Sequence, residues 1–196
     1  MNYMKFLLLS TLMFLTLLTA NSQDVDISFS ADAKNNGYII TLDGDSIPKL
    51  ISILNDTKIV TYDLDSNKKS KEVFKASKLT AFNVGDYFFE AHKYKNIDLI
   101  NASAASLATP PKYFFMLKVL TGKINVLQHT YLDADGNTLD KLLLKKDEDK
   151  LRTRIKLQEL VSDCPEVYGK IEDQKGITLT DEQIIETVMN YNSNCK

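Results

Sequence analysis

Few side chains in this 196-residue sequence are equipped for chemistry: two histidines, His92 and His129, and two cysteines, Cys164 and Cys195. Both histidines fall in runs that read as strands, "DYFFEAHKY" (Asp86 to Tyr94) and "KINVLQHTYL" (Lys123 to Leu132). If they faced the same side of a sheet they could meet, and with Glu90 they could bind zinc or share a proton. Their separation has nothing of a compact ligand motif such as H-E-x-x-H. Strand histidines flanked by aromatics and lysines are more commonly half-exposed packing residues. The sequence therefore supplies no metal ligand set and no cofactor site.

"DADGN" (Asp133 to Asn137) opens like a calcium loop, with Asp133, Asp135 and Asn137 alternating. An EF-hand loop would need glycine at position 138 and a bidentate glutamate at position 144, where this chain has Thr138 and Leu144. It reads instead as a turn between two strands. There is no G-x-S-x-G elbow, Walker loop or Gly-rich dinucleotide turn. A nucleophile triad needs only to meet in space, yet two histidines leave a Ser-His or Cys-His pair few ways to form. No catalytic residue is assigned, and the expectation is a protein that is not an enzyme.

The elements that must hold these residues begin after a distinctive leader. "MNYMKFLLLSTLMFLTLLTANSQ" carries one lysine, Lys5, an uncharged apolar run from Phe6 to Leu18, then small and polar residues. That is the plan of a secretory signal peptide, with Ala20 and Ser22 forming an A-x-S cleavage site and Gln23 as the first mature residue. A retained membrane anchor is the competing reading, because the apolar run approaches the roughly 17 residues that can span a bilayer. No cysteine follows the cleavage point, and beyond residue 22 no stretch is apolar enough to cross a membrane. Residues 23–196 are then one domain in length, large enough to bury a core. Net charge is −2, and lysines and acids interleave even in "NKKSKE" (Asn67 to Glu72) and "KKDEDK" (Lys145 to Lys150). Neither run makes a basic face that would neutralise a phosphate backbone, so nucleic acid is excluded as a partner.

Residues 37–146 read as mainly β. "GYIITL" (Gly37 to Leu42), Asp43-Gly44 and "SIPKLISIL" (Ser46 to Leu54) make a hairpin whose turn dipeptide suits positive φ. Pro48 cannot donate to a ladder, so it belongs at an edge or bulge. "KIVTYDL" (Lys58 to Leu64), "KEVFKASKLTAFNV" (Lys71 to Val84) and "DYFFEAHKY" follow, the middle one ambiguous in period between strand and helix. "NASAASLATPP" (Asn101 to Pro111) reads as a loop. "KYFFMLKVL" (Lys112 to Leu120), Thr121-Gly122 and "KINVLQHTYL" make the strongest hairpin, and "LDKLLLKK" (Leu139 to Lys146) closes the β part. On alternate strand faces, Tyr87 and Phe89 oppose Phe88, and Tyr113 and Phe115 oppose Phe114. One set belongs in the core; the other is covered by helices or lines an apolar ligand site.

The period changes after Lys146, and residues 149–192 read as mainly α. Leu157, Leu160, Val161 and Cys164 follow helical spacing, with Leu151 and Ile155 on a neighbouring stripe, predicting an amphipathic helix over Asp149 to Ser162. Thr180 and Gln183 form a T-x-x-Q capping box, and Leu179 and Ile184 a hydrophobic staple, at the start of a final helix carrying Ile184, Val188 and Tyr191 on one face.

"NGYIITLDGDSI" and "SDCPEVYGKI…YNSNC" together resemble a set of uncharacterised exported proteins of Gram-negative bacteria. Those share a signal peptide, an early "GYI-T-GD-I" hairpin, a β-rich middle and a helical tail with "DCP" and a terminal "YN--C". The matching residues are Gly37, Tyr38, Ile39, Thr41, Gly44, Asp45 and Ile47, then Asp163, Cys164, Pro165, Tyr191, Asn192 and Cys195. A glycine often follows "GD-I" in that set, where this chain has Pro48-Lys49-Leu50. The resemblance implies export and architecture and supplies no catalytic residue.

The expected fold class is α+β: an antiparallel sheet, flat or curled toward a barrel, followed by two or three C-terminal helices packed on it. In an oxidising compartment two cysteines without a third pair readily, predicting a Cys164–Cys195 disulfide. The expected function is a non-catalytic binding or structural module of the cell envelope, periplasmic, surface-associated or secreted. A carrier of a lipid or small apolar ligand is the second hypothesis, and a metal-dependent or hydrolytic envelope enzyme the third. Its partner is accordingly an envelope protein or a small apolar ligand.

Overall fold

The computed structural model describes residues 33–64, 70–95, 110–133, 135–147, 150–171 and 179–195. The expected leader, with its expected Ser22/Gln23 cleavage site, and positions 101–109 of the expected loop lie outside them. The fold is α+β. Ten strands form one antiparallel sheet: β1 (Asn35–Thr41), β2 (Ser46–Asn55), β3 (Lys58–Tyr62), β4 (Lys71–Lys75), β5 (Leu79–Val84), β6 (Tyr87–Tyr94), β7 (Lys112–Leu120), β8 (Ile124–Leu132), β9 (Thr138–Lys146) and β10 (Arg152–Thr153). Their order is β10-β9-β8-β7-β6-β5-β1-β2-β3-β4, so the sheet is open.

The first hairpin forms where the sequence predicts it, but its turn is wider. Thr41 N–H donates to Asp45 O (3.0 Å) and Gly44 N–H to Thr41 O (3.2 Å), enclosing the loop Leu42, Asp43 and Gly44, in which only Gly44, at φ +90°, is left-handed. Pro48 faces Tyr38 of β1, while pairing of β2 with β3 begins only at Leu50. Pro48 thus sits where β2 is locally an edge, as its missing amide requires.

The ambiguous run Lys71 to Val84 is two strands joined by a single 3-10 turn, Ala76–Lys78. That link dictates the shape of this half of the sheet. β4 and β5 are four strand spacings apart, roughly 19 Å if the sheet were flat. The chain from Lys75 to Leu79 reaches about 14 Å at most. The sheet must curl to bring the two strands together, and Ala76 N–H, hydrogen-bonded to Thr57 O (2.8 Å), pins the turn against the β2–β3 connection. Inside the curl lie Ile39, Ile51, Ile59, Ala76, Leu79, Phe82, Phe89 and Phe115. Phe82 stacks on Phe89 at 4.6 Å and meets Phe115 edge-on at 4.8 Å.

Among the described residues, the helices cover the other end. Ile124, Val126, Leu142 and Leu144 of β8 and β9 pack against the buried residues of the tail, among them Leu157, Val161, Val167, Ile184, Val188 and Tyr191. The aromatic set Phe89/Phe115 is therefore buried by the sheet's own curl and not by helix cover. On the opposite face Met116, Leu127 and Leu143 form a smaller cluster flanked by Phe114 and Tyr94.

One predicted helix is corrected. Asp149 to Ser162 is not a continuous helix: among the described residues it contains β10, a 3-10 turn at Arg154–Lys156, and α1 (Leu157–Leu160). The unpaired edge of β9 captures its first part, with Arg152 opposite Leu144 and Thr153 opposite Leu143. Leu157, Leu160, Val161 and Cys164 are buried as their spacing predicts, whereas Ile155 is 50% exposed. Two further helices, α2 (Pro165–Ile171) and α3 (Asp181–Asn194), complete the tail. The capping box of α3 is present: Thr180 Oγ1 accepts from Gln183 N–H (3.3 Å) and Gln183 Oε1 from Thr180 N–H (2.8 Å). Leu179 and Ile184, the staple pair, are buried. Among the described residues no helix is long and apolar enough to cross a membrane.

Candidate functional site

His129 is fully buried in β8, at a seam in the sheet. The β7–β8 ladder runs only from Leu117 opposite Gln128 to Leu120 opposite Val126. Before Leu117 the edge of β7 is open to another partner, and the β2–β3 turn fills the place. Phe115 N–H donates to Asp56 O (2.7 Å), and Asp56 Oδ2 lies 3.1 Å from His129 Nε2. Phe114 (4.8 Å between ring centroids), Tyr131 (5.1 Å) and Tyr94 (6.2 Å) enclose the imidazole. Its Nδ1 has no hydrogen-bond partner among the described residues. A ring so enclosed presents no face to a substrate; it ties the turn to β8.

His92 lies opposite Phe114 in the β6–β7 register. It shares a sheet face with Phe114, whose ring packs on His129, so the two histidines are on one side but do not converge. Each has its own carboxylate. His92 Nε2 donates to Glu90 Oε2 (2.9 Å), and Lys118 Nζ donates to Glu90 Oε1 (2.8 Å). The hydrogen bond from His92 chiefly, with help from Lys118 and against the effect of burial, pulls the Glu90 carboxyl down to about 2. Lys118 also reaches over the Phe88 ring at 5.8 Å. The side chains of this trio are 15–24% exposed. The less favoured joint site of both histidines with Glu90 does not form: of the two histidines Glu90 takes only His92, because the β7–β8 seam gives His129 to Asp56, and the half-exposed packing expected of both histidines is corrected at His129, which is fully buried. Among the described residues no group of three or more His, Cys, Asp or Glu could hold a metal ion.

The aromatic cluster in the curl leaves little room. The space lined by Phe82, Phe89, Phe115, Gln128 and Thr130 has a volume of about 10 Å³, enough for one water and far below the roughly 300 Å³ of a small ligand pocket. A shallow groove of about 170 Å³ lies between α2 and α3. In "DADGN" the Asp133 carboxylate is occupied by its own turn. Asp133 Oδ1 accepts from Asp135 N–H (2.9 Å) and Asn137 N–H (2.8 Å), while Asn137 Nδ2 donates to Oδ2 (3.1 Å). The Asn137 side chain, then these backbone bonds, hold that carboxyl below its ordinary value.

The residues of "DCP" and "YN--C" meet at one place and form a clasp. Cys164 and Cys195 are disulfide-bonded, with Cα atoms 5.7 Å apart. Tyr191 O–H donates to the Asp163 carboxylate (3.0 Å), which also accepts from Lys146 Nζ (2.8 Å). The Lys146 bond holds the Asp163 carboxyl below its ordinary value. Asn192 behaves like one more strand residue: its Oδ1 accepts from Ile124 N–H and its Nδ2 donates to Ile124 O, both at 2.9 Å. Lys123 Nζ donates to Cys195 O. Gly122 is required here, because a Cβ would lie 2.2 Å from Asn192 Nδ2.

Sequence reading finds the cysteines, Tyr191 and Asn192 but misses Asp56, Lys118 and Lys146. Nothing local marks Asp56 beyond the turn signal "NDT", since its partners lie in β7 and β8. The chain was compared with protein-family models, with curated proteins and with solved structures, and no match was found in any of the three.

Proposed function

We propose that this chain is an exported protein of the bacterial cell envelope and works there as a non-catalytic binding or structural module. One observation carries the reading: of the two histidines and two cysteines, His129, Cys164 and Cys195 are spent on the fold, and His92 is engaged by Glu90. His129 ties the β2–β3 turn, Cys164 and Cys195 close the tail, and Asp163 is shared between Lys146 and Tyr191. Export is supported by the leader ending at Ser22/Gln23 and by a disulfide, which forms and persists in oxidising compartments. The partner is an envelope protein or a small apolar ligand. The partly open face bearing Phe88, Glu90, His92 and Lys118 is where contact is expected. A large carrier cavity has no counterpart in the roughly water-sized space of the curl.

The test has two arms. A photo-crosslinking amino acid at position 88 of the full-length chain should give a discrete adduct in the envelope. The purified oxidised chain, offered ester, peptide and glycoside substrates, should show no turnover. Turnover that His92→Ala abolishes would overturn the reading in favour of a hydrolase.

A further inference from the structure

We propose that the C-terminal clasp is a template for its own disulfide: hydrogen bonds dock α3 first and set the two thiols side by side, and oxidation then locks a tail that is already native. Each cysteine is held by contacts other than the S–S bond. Cys195 follows Tyr191 and Asn192 by one helical turn. Both are anchored outside the disulfide, Tyr191 to Asp163 and Asn192 to the backbone of Ile124. Lys123 Nζ further fixes the Cys195 carbonyl. Cys164 follows Asp163, which Lys146 holds from β9, and Lys146 also donates to Leu160 O at 2.9 Å. Each cysteine thus has its own tie to the sheet, Cys195 through Asn192 and Lys123 and Cys164 through Lys146, while the Tyr191–Asp163 bond joins the two segments and the cysteine Cα atoms lie only 5.7 Å apart. That separation is within the reach of a bridge.

Two consequences follow from this arrangement. Asn192 has no partner until Ile124 has entered the sheet, so the thiols meet only after β8 is in place and oxidation reports a finished fold. The apolar face of α3, with Ile184, Val188 and Tyr191 buried against β8 and β9, keeps the helix seated when the bond is absent. The covalent step itself is ordinary exchange with an external disulfide such as glutathione disulfide. One cysteine thiolate attacks it, forming a mixed disulfide and releasing one glutathione thiolate. The second cysteine thiolate attacks the protein sulfur of that intermediate and releases the other. One glutathione disulfide is reduced by two electrons to two glutathione thiolates, which take up the two protons given up by the protein thiols, so that two glutathione thiols form and no net proton is released.

Effective thiol concentration against a glutathione redox buffer measures how well the pair is preorganised. The mature chain should show a concentration about tenfold higher than its Asn192→Ala and Tyr191→Phe variants, the equivalent of losing a hydrogen bond to a charged or buried partner. In amide exchange, the reduced mature chain and a Cys164→Ser/Cys195→Ser variant should still protect the amides of Ile124 and of residue 195. Loss of that protection on reduction would overturn the proposal, as would equal effective concentrations in mature chain and variants. Tyr191→Phe removes only a hydroxyl, so the comparison survives if Asn192→Ala fails to fold.

Discussion

Glu90 shows how far a single side chain here is governed by its neighbours. Its carboxylate accepts from His92 and Lys118 and is pulled down to about 2. A carboxyl whose folded value lies below its unfolded one contributes stability above the unfolded value and loses it as pH falls toward the folded value. The window is therefore from about pH 4.5 down to about pH 2. Allowing for partial exposure, the contribution is on the order of 2 kcal/mol. Urea midpoints across this range should fall in the unsubstituted chain, and Glu90→Gln should flatten much of the fall. An equal slope in the variant would show that other carboxylates govern the acid limb. The trio was half legible in the sequence: Glu90 and His92 alternate on one strand and so share a face, but Lys118 comes from the next strand and only the β6–β7 register places it there.

At the scale of elements, capping and turn signals confined to a few residues are legible in the sequence, and so is the pairing of the only two cysteines, whereas the partners of strand edges are not. The capping box of α3 was legible because all its atoms lie within four residues. The strongest hairpin, β7–β8, was legible from alternation and from Thr121-Gly122. The predicted helix over Asp149 to Ser162 failed because the free edge of β9, which no local period reveals, offers Arg152 and Thr153 a ladder. The Asp56 insertion at the β7–β8 seam was equally hidden, since it depends on the curl that the Ala76–Lys78 link imposes. The docking of α3 on β8 makes a sharp prediction. Gly122→Ala would drive a Cβ into the Asn192 amide, which lies 2.2 Å from that position, and so break its two bonds to Ile124. We expect a loss of about 1 to 3 kcal/mol in urea unfolding, with Ile124 losing amide protection. An unchanged midpoint would mean that Asn192 shifts without cost and is not a necessary part of the clasp.

The whole molecule is a curled sheet whose far end is capped by a helical tail, and the tail is the part most in need of fastening. The curl buries its own aromatic core and is closed by backbone bonds from Ala76 and Phe115 to the β2–β3 turn. Among its described residues the tail has three helices, one of only four residues, and the disulfide spans a separation of 31 residues across it. Closing a loop of that length stabilises by about 3 to 4 kcal/mol in the chain-entropy account. The late placement of both cysteines follows from this division of labour. The central claim, an exported and disulfide-clasped module, meets its most direct test in one intact-mass measurement. The full-length chain would be expressed in a Gram-negative host and recovered from its envelope under conditions that trap free thiols. The account predicts a chain beginning at Gln23, with no trapped thiol and a mass two hydrogens below the dithiol. A chain retaining its leader, with both Cys164 and Cys195 trapped as thiols, would contradict it.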